Sequence, residues 1–188
     1  MVKDLIKPLE SSFLSCEKDI EIIIEKLFIE NKKYARILKK LLVVNTKDCL
    51  TNPKYDAIVD KITVADLIKQ GYLRLNPKIE LPEHEEIKAY ILISFDNFIP
   101  SRNTEFRDNT VNFKIICHTD YWEMNDYQLR PFKIMGYIDG LLNKTKLTGI
   151  GILNFLNSSE TIYSEHLAGY NLNYVAFHGS DDRIPDNG

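Results

Sequence analysis

Two runs of alternating apolar and polar residues, 87–95 and 110–118, dominate the middle of the chain. In the second, Val111, Phe113, Ile115 and Cys117 fall on one side and Asn112, Lys114, Ile116 and His118 on the other, the period of two that a half-buried strand requires. The first places Ile87, Ala89, Ile91, Ile93 and Phe95 on one face and Tyr90 and Leu92 on the opposite one, so both of its faces are expected to be covered. Together the runs predict a long β-hairpin at the centre of a sheet.

Upstream the period changes. Ile20, Ile23, Ile24, Leu27, Tyr34, Ile37, Leu38, Leu41 and Leu42 recur mostly three or four apart. Ser15 is a candidate N-cap, and Glu17 and Asp19 suit the positive end of a helix dipole. The pattern predicts one N-terminal helix of roughly seven turns. Ile22, Phe28 and Ile29 widen its stripe, so its first half should be covered on more than one side. Lys32, Lys33, Arg36, Lys39 and Lys40 make its second half basic, which reads as a solvated face.

Residues 45–86 read as an irregular insertion rather than a second domain, with too few large apolar residues for a core of their own. Asn52-Pro53 marks a bend. Thr63 to Asp66 opens a short helix that Gly71 closes. From Tyr72 onward the chain is expected to be extended, because Pro77 and Pro82 remove amide donors and disfavour helix before them.

Between the two central runs, residues 96–109 form a loop far longer than the two to five residues usual for a hairpin. Phe98, Ile99 and Phe106 beside Arg102 and Arg107 give the aromatic and arginine mixture enriched at protein–protein contacts. These five are the candidate subunit-interface residues. The competing reading is that Phe98 and Phe106 fold back on the sheet.

After a loop carrying the single Trp, Trp122, a second helix should begin near Leu129 with Pro131 in its first turn and Phe132, Met135, Ile138, Leu141 and Leu142 on one face. Gly136 and Gly140, four apart, suggest a smooth side lying close against a strand. Three strands follow at 147–156, 161–166 and 170–177, with turns at Asn157 to Ser159 and at Ala168-Gly169. The polar tail 179–188 is expected to be flexible. The fold class is therefore α+β: an antiparallel or mixed β-sheet with a central long hairpin, flanked by a long N-terminal helix and a second helix, order α-β-β-α-β-β-β, in one domain of 188 residues.

Composition narrows the class without naming a function. The net charge of −3 gives no global electrostatic reason to bind nucleic acid. Cys16, Cys49 and Cys117 are odd in number and lack paired spacing, against a disulfide framework or structural zinc. No run suits a signal peptide or a membrane span, and a cytosolic product without membrane contact is expected.

The search for chemistry is negative. His84, His118, His166 and His178 contain no metal-ligand spacing. His118 and Asp120 are two apart at a strand end, a common surface arrangement, and Cys117 shares the apolar face of its strand. The Thr148 to Gly151 stretch lacks the third glycine and the lysine of the nucleotide loops. No cofactor and no catalytic residue are expected, which favours an interaction or structural protein.

From Ala89 to His178 the chain resembles neck proteins of tailed bacteriophages, the tail-terminator, tail-completion and head–tail connector group. The likeness is carried by residues 90–96, Phe106 to Asn109, Phe113 to Cys117, Gln128 to Pro131 with 138–142, Leu147 to Gly151, and Ala168-Gly169. It implies a structural virion protein without enzymatic activity that forms a six- or twelve-fold homo-oligomeric ring between the portal vertex and the tail. Partners would be other copies of itself and other neck, portal or tail proteins, with passive DNA contact in the channel. The long N-terminal helix and the 45–86 insertion depart from the group's pattern, leaving a long-tailed and a short-tailed virion both open. The rival class is a small phage-encoded enzyme or ligand-binding domain with a site near His118, Asp120 and Trp122.

Overall fold

The computed structural model of the protein describes residues 15–76, 88–100, 107–147 and 150–177. Helices α1 (Ser15–Phe28) and α2 (Lys32–Val43) precede two short helices, α3 (Asp56–Val59) and α4 (Val64–Lys69). Strands β1 (Leu73–Arg74), β2 (Ala89–Pro100) and β3 (Arg107–His118) lead to α5 (Arg130–Leu142). Strands β4 (Lys146–Leu147), β5 (Gly151–Ile162) and β6 (Leu167–Phe177) end the described chain. The strands form one six-stranded sheet in the order β1-β2-β3-β6-β5-β4, parallel only between β1 and β2. The α+β architecture is the one the sequence predicts.

The central hairpin carries the alternation read from sequence. Val111, Phe113, Ile115 and Cys117 are all fully buried in the main core, together with Ala89, Ile91 and Ile93 of β2. Ile23, Leu27, Leu38, Leu41 and Leu42 of α1 and α2 and Ile134, Ile138 and Leu142 of α5 close that core from the helical side. Phe113 meets Tyr174 of β6 edge to face at 5.8 Å. The Tyr174 hydroxyl donates to Asp139 Oδ1 at 2.8 Å, and burial together with that carboxylate pushes the phenol well above its ordinary range. On the opposite face a smaller cluster of Tyr90, Leu92, Ile116 and Leu167 is also buried, so β2 is covered on both sides as expected.

Several local expectations are corrected. The long N-terminal helix is two helices. Asn31 lies in extended backbone, and its side chain accepts from Lys33 N and Tyr34 N, capping a new helix instead of continuing the old one. The apolar stripe runs across this break because both helices lie on the same core. The basic run of α2 is not merely solvated. Arg36 grips Asp60 with two hydrogen bonds of 2.8 and 2.7 Å, Lys39 donates to Ile62 O, and the buried Lys40 pairs with Asp56. The face thus docks the following segment onto α2.

That segment is more regular than its composition suggests. Thr63 and Asp66 form the capping box read from sequence, and Gly71, at φ 77, ends the helix. Val59, Leu67 and Leu73 enter the main core, and Leu73 pairs with Ile91 at the sheet edge. Residues 77–86, where the chain was expected to stay extended, fall outside the described ones.

The loop between β2 and β3 is shorter than expected because both strands run on, to Pro100 and from Arg107, past a register shift between Asp96 and Ile99. In α5 the buried line is Pro131, Ile134, Ile138 and Leu142, whereas Phe132 stays about half exposed. Gly136 and Gly140 face open space and do not pack on a strand.

The C-terminal strands are also redistributed. The expected strand 147–156 is divided: β4 pairs back on the start of β5, and Gly151 supplies φ 89. Asn157 to Ser159 do not turn but continue β5, where Ser158 Oγ donates to Asn171 O and Asn173 Nδ2 to Asn157 Oδ1. The turn lies at residues 163–166, tied by Ser164 Oγ accepting from His166 N and Leu167 N. Ala168 and Gly169 are strand residues, and a Cβ on Gly169 would run into Ile115 O. The tail from residue 179 lies outside the described residues.

Candidate functional site

Arg130, at the first turn of α5, is 1% exposed and hydrogen-bonds to no carboxylate among the described residues. Its guanidinium donates to four carbonyl oxygens instead: Tyr121 O at 2.8 Å, Leu41 O at 2.6 Å, Val44 O at 3.1 Å and Thr46 O at 3.0 Å. Three of these lie in or just beyond the last turn of α2, whose unpaired carbonyls and negative dipole end compensate a buried cation. The consequence is a fixed anchor for the loop between β3 and α5.

That loop is a small closed structure. Glu123 bridges Leu129, Met124 N donates to Gln128 O at 2.8 Å, and Asn125 N donates to Lys47 O at 3.0 Å. At its tip Asp126 and Tyr127 both have positive φ, 58° and 59°. Tyr127 is fully exposed. A bulky residue in left-handed backbone is strained, and such strain gathers where a side chain has to be presented. Beside the loop lies an open cleft of about 600 Å³ flanked by Lys47, Glu123 and Leu129.

The second feature is an edge. β4 covers β5 only at Gly151 and Ile152, and residues 143–145 cap the next stretch: Lys144 N donates to Leu153 O at 2.7 Å and Phe155 N to Asn143 Oδ1 at 3.1 Å. A register shift between Phe155 and Asn157 follows. From there residues 156–162 have a strand on one side only, among the described residues. This edge carries one charge, Glu160, and no proline or lysine, while Leu156 and Ile162 are 54% and 74% exposed. Past the irregularity at Phe155, its protection against pairing with another chain is limited to that single charge.

Of the predicted contact residues, Phe98 lies on β2 beyond Asn97, which has φ 51, and is 36% exposed. Arg102 and Phe106, and the side chains of Ile99 and Arg107, fall outside the described ones. At the rival site, His118 is buried, and its Nδ1 accepts from Asp120 N at 3.2 Å while Asp120 Oδ2 stands 3.7 Å away. A dyad that tunes an imidazole as a base has the Nδ1 proton donated to the carboxylate, which this arrangement does not provide. Trp122 packs toward the main core and Tyr170, whereas His118 continues the opposite face of β3 and stacks on His166. The three are not drawn into one site. Cys117 is fully buried and its thiol is pushed up to about 12 by that burial, which keeps it protonated.

Sequence reasoning missed Arg130, Tyr127 and the 156–162 edge. A lone arginine before a proline carries no local mark of burial, and edge status depends on strands elsewhere in the chain.

A family model named YomW matches residues 36–176, from the second turn of α2 to the end of β6. No curated protein matches the chain.

Proposed function

Because the chain belongs to the YomW family, which is phage-derived, we propose that it is a structural virion protein of the phage neck, a homo-oligomeric ring joining the portal vertex to the tail. The observation that carries the reading is the open edge of β5. Along residues 156–162 β5 is paired on one side only among the described residues, with Leu156 and Ile162 exposed at the two ends and Glu160 the single charge between them. A second copy adding a strand there would satisfy the open amides and carbonyls and bury Leu156 and Ile162.

Ring closure asks for a different surface on the neighbouring copy, since a head-to-tail contact repeated by rotation is heterologous. β2 supplies a candidate: past Leu92 it has β3 on one side only, among the described residues, and it carries Phe98 on the stretch leading to the predicted contact arm. In this reading the protein has no enzymatic role. A rigid sheet repeats one contact around an axis, and six or twelve copies enclose the channel. The neighbours above and below are other neck, portal or tail proteins.

The test is the mass of the purified protein by light scattering across concentrations, with negative-stain images, for the natural chain and for a Leu156→Lys/Ile162→Lys variant. Rings or concentration-driven assembly of the natural chain, lost in a variant that keeps its melting temperature, are the expected result. A natural chain that stays monomeric and does not bind portal or tail components would overturn the proposal.

A further inference from the structure

The face of the sheet turned away from the helices is unusual in its side chains. In register across three strands, Asn112 of β3 opposes Asn173 of β6, which opposes Asn157 of β5. One step along, Lys114 opposes Asn171, which opposes Ser159. Asparagine is among the poorest strand formers, and solvent-facing strand positions are ordinarily filled by threonine, valine or longer side chains. Four asparagines converging on the middle of one sheet face are therefore not explained by strand preference.

They line a cavity. An open concavity of about 290 Å³ is walled by these asparagines with Lys114, and closed at its ends by Asp96 and Thr110 on one side and Leu156 on the other. Two of the amides are already oriented by neighbouring side chains. Asn173 Nδ2 donates to Asn157 Oδ1 at 2.6 Å and Asn171 Nδ2 to Thr161 Oγ1 at 2.7 Å. Asn157 Oδ1 is thus occupied and its own amide nitrogen is left for a further acceptor. Asn171 donates to Ser159 Oγ and Thr161 Oγ1 while its Oδ1 is shielded from solvent, so this residue braces the floor of the concavity and leaves the exposed amide groups to its neighbours.

The chemistry of this lining selects its ligand. Donors and acceptors alternate, and the carboxylate of Asp96 offsets the ammonium of Lys114, so an anionic phosphate gains no net attraction. Among the described residues no aromatic ring lines the cavity, so a nucleobase or other flat heterocycle finds no stacking platform there. What matches pre-oriented amides, a hydroxyl and one apolar wall is a compact molecule with many hydroxyls and an aliphatic flank. We propose that this face binds a neutral saccharide, one sugar ring seated over Asn112, Asn157, Asn171 and Asn173 with its C–H edge against Leu156. The volume is at the small end of ligand pockets and suits a single ring with a few waters. The site shares Leu156 with the proposed contact edge but needs no second copy, so it stands if the ring reading fails.

The experiment is a nitrogen–proton NMR titration of the natural chain with glucose, galactose, mannose and N-acetylglucosamine, each to about 50 mM, far above a millimolar Kd. Saturable shifts in the side-chain amide signals of the four asparagines with at least one sugar are expected. The same sugar should bind at least tenfold more weakly to an Asn112→Thr/Asn173→Thr variant, whose strand preference is better and whose fold is checked by its backbone spectrum. Absence of saturable shifts with all four sugars, or undiminished binding by the variant, overturns the proposal.

Discussion

Arg130 Nη1 donates to the backbone carbonyl of Leu41 at 2.6 Å across 89 positions of sequence. The contact joins the end of α2 to the start of α5 and holds the Tyr127 loop between them. Arg130→Ala would leave the carbonyls of Leu41, Val44, Thr46 and Tyr121 without this donor in a buried place. A loss of about 3 kcal/mol or more is expected, read by denaturant unfolding. Arg130→Lys keeps the charge but not the fork, and should recover only part of it.

Glycines in this chain divide by what surrounds them. Gly169→Ala sets a methyl against the Ile115 carbonyl inside the β3–β6 pairing, so that variant should fail to fold or melt far below the natural chain. Gly136→Ala and Gly140→Ala meet nothing within 4 Å on a helix, and each should stabilise by about 0.5–1 kcal/mol. Thermal melts of the three variants decide it, and a neutral Gly169→Ala would contradict the strand register.

Tyr127 sits at φ 59 with its ring in solvent, so its backbone strain is not offset by burial. Tyr127→Gly is expected to raise stability by about 1 kcal/mol, because glycine adopts this conformation without the Cβ clash. If the ring is presented to a partner, that same variant should assemble or bind less well while melting higher. Parallel melting and pull-down measurements with portal and tail components separate the two effects.

Acid should loosen the segment between α2 and β1 before the sheet. Hydrogen bonds from Asn52 to Asp48, from Arg36 to Asp60 and from Thr63 to Asp66 hold all three carboxyls below their ordinary value of 3.8. A depressed carboxyl contributes stability above its unfolded pKa and loses it as pH falls through the folded one. NMR spectra from about pH 6 to about pH 2 should show residues 53–69 losing dispersion while β3 and β6 keep theirs. Added salt should weaken the exposed Arg36–Asp60 part of the effect. Simultaneous loss of both regions would mean these pairs do not govern the segment.

Much of the architecture was legible because its causes are local. The faces of β2 and β3 follow from period-two alternation, the start of α5 from Pro131, and α4 from the reciprocal Thr63–Asp66 cap. Even the break between α1 and α2 had a local signal in Asn31, overridden in the reading by an apolar stripe that continues across it. The turns assigned to Asn157 to Ser159 and to Ala168-Gly169 failed for a different reason. Turn-forming residues were taken at face value, whereas cross-strand hydrogen bonds and a close backbone approach hold them extended.

The sequence by itself determined which residues can share a face, where helices cap and that the chain builds an α+β core, because periodicity and capping act over a few neighbouring positions. Only the tertiary structure decided that Arg130 is buried among α2 carbonyls, that four asparagines meet in one concavity and that residues 156–162 form an open edge among the described residues. Each of these depends on strands or helices far apart in the chain being brought side by side, and no local pattern encodes which element becomes a neighbour and which is left without one.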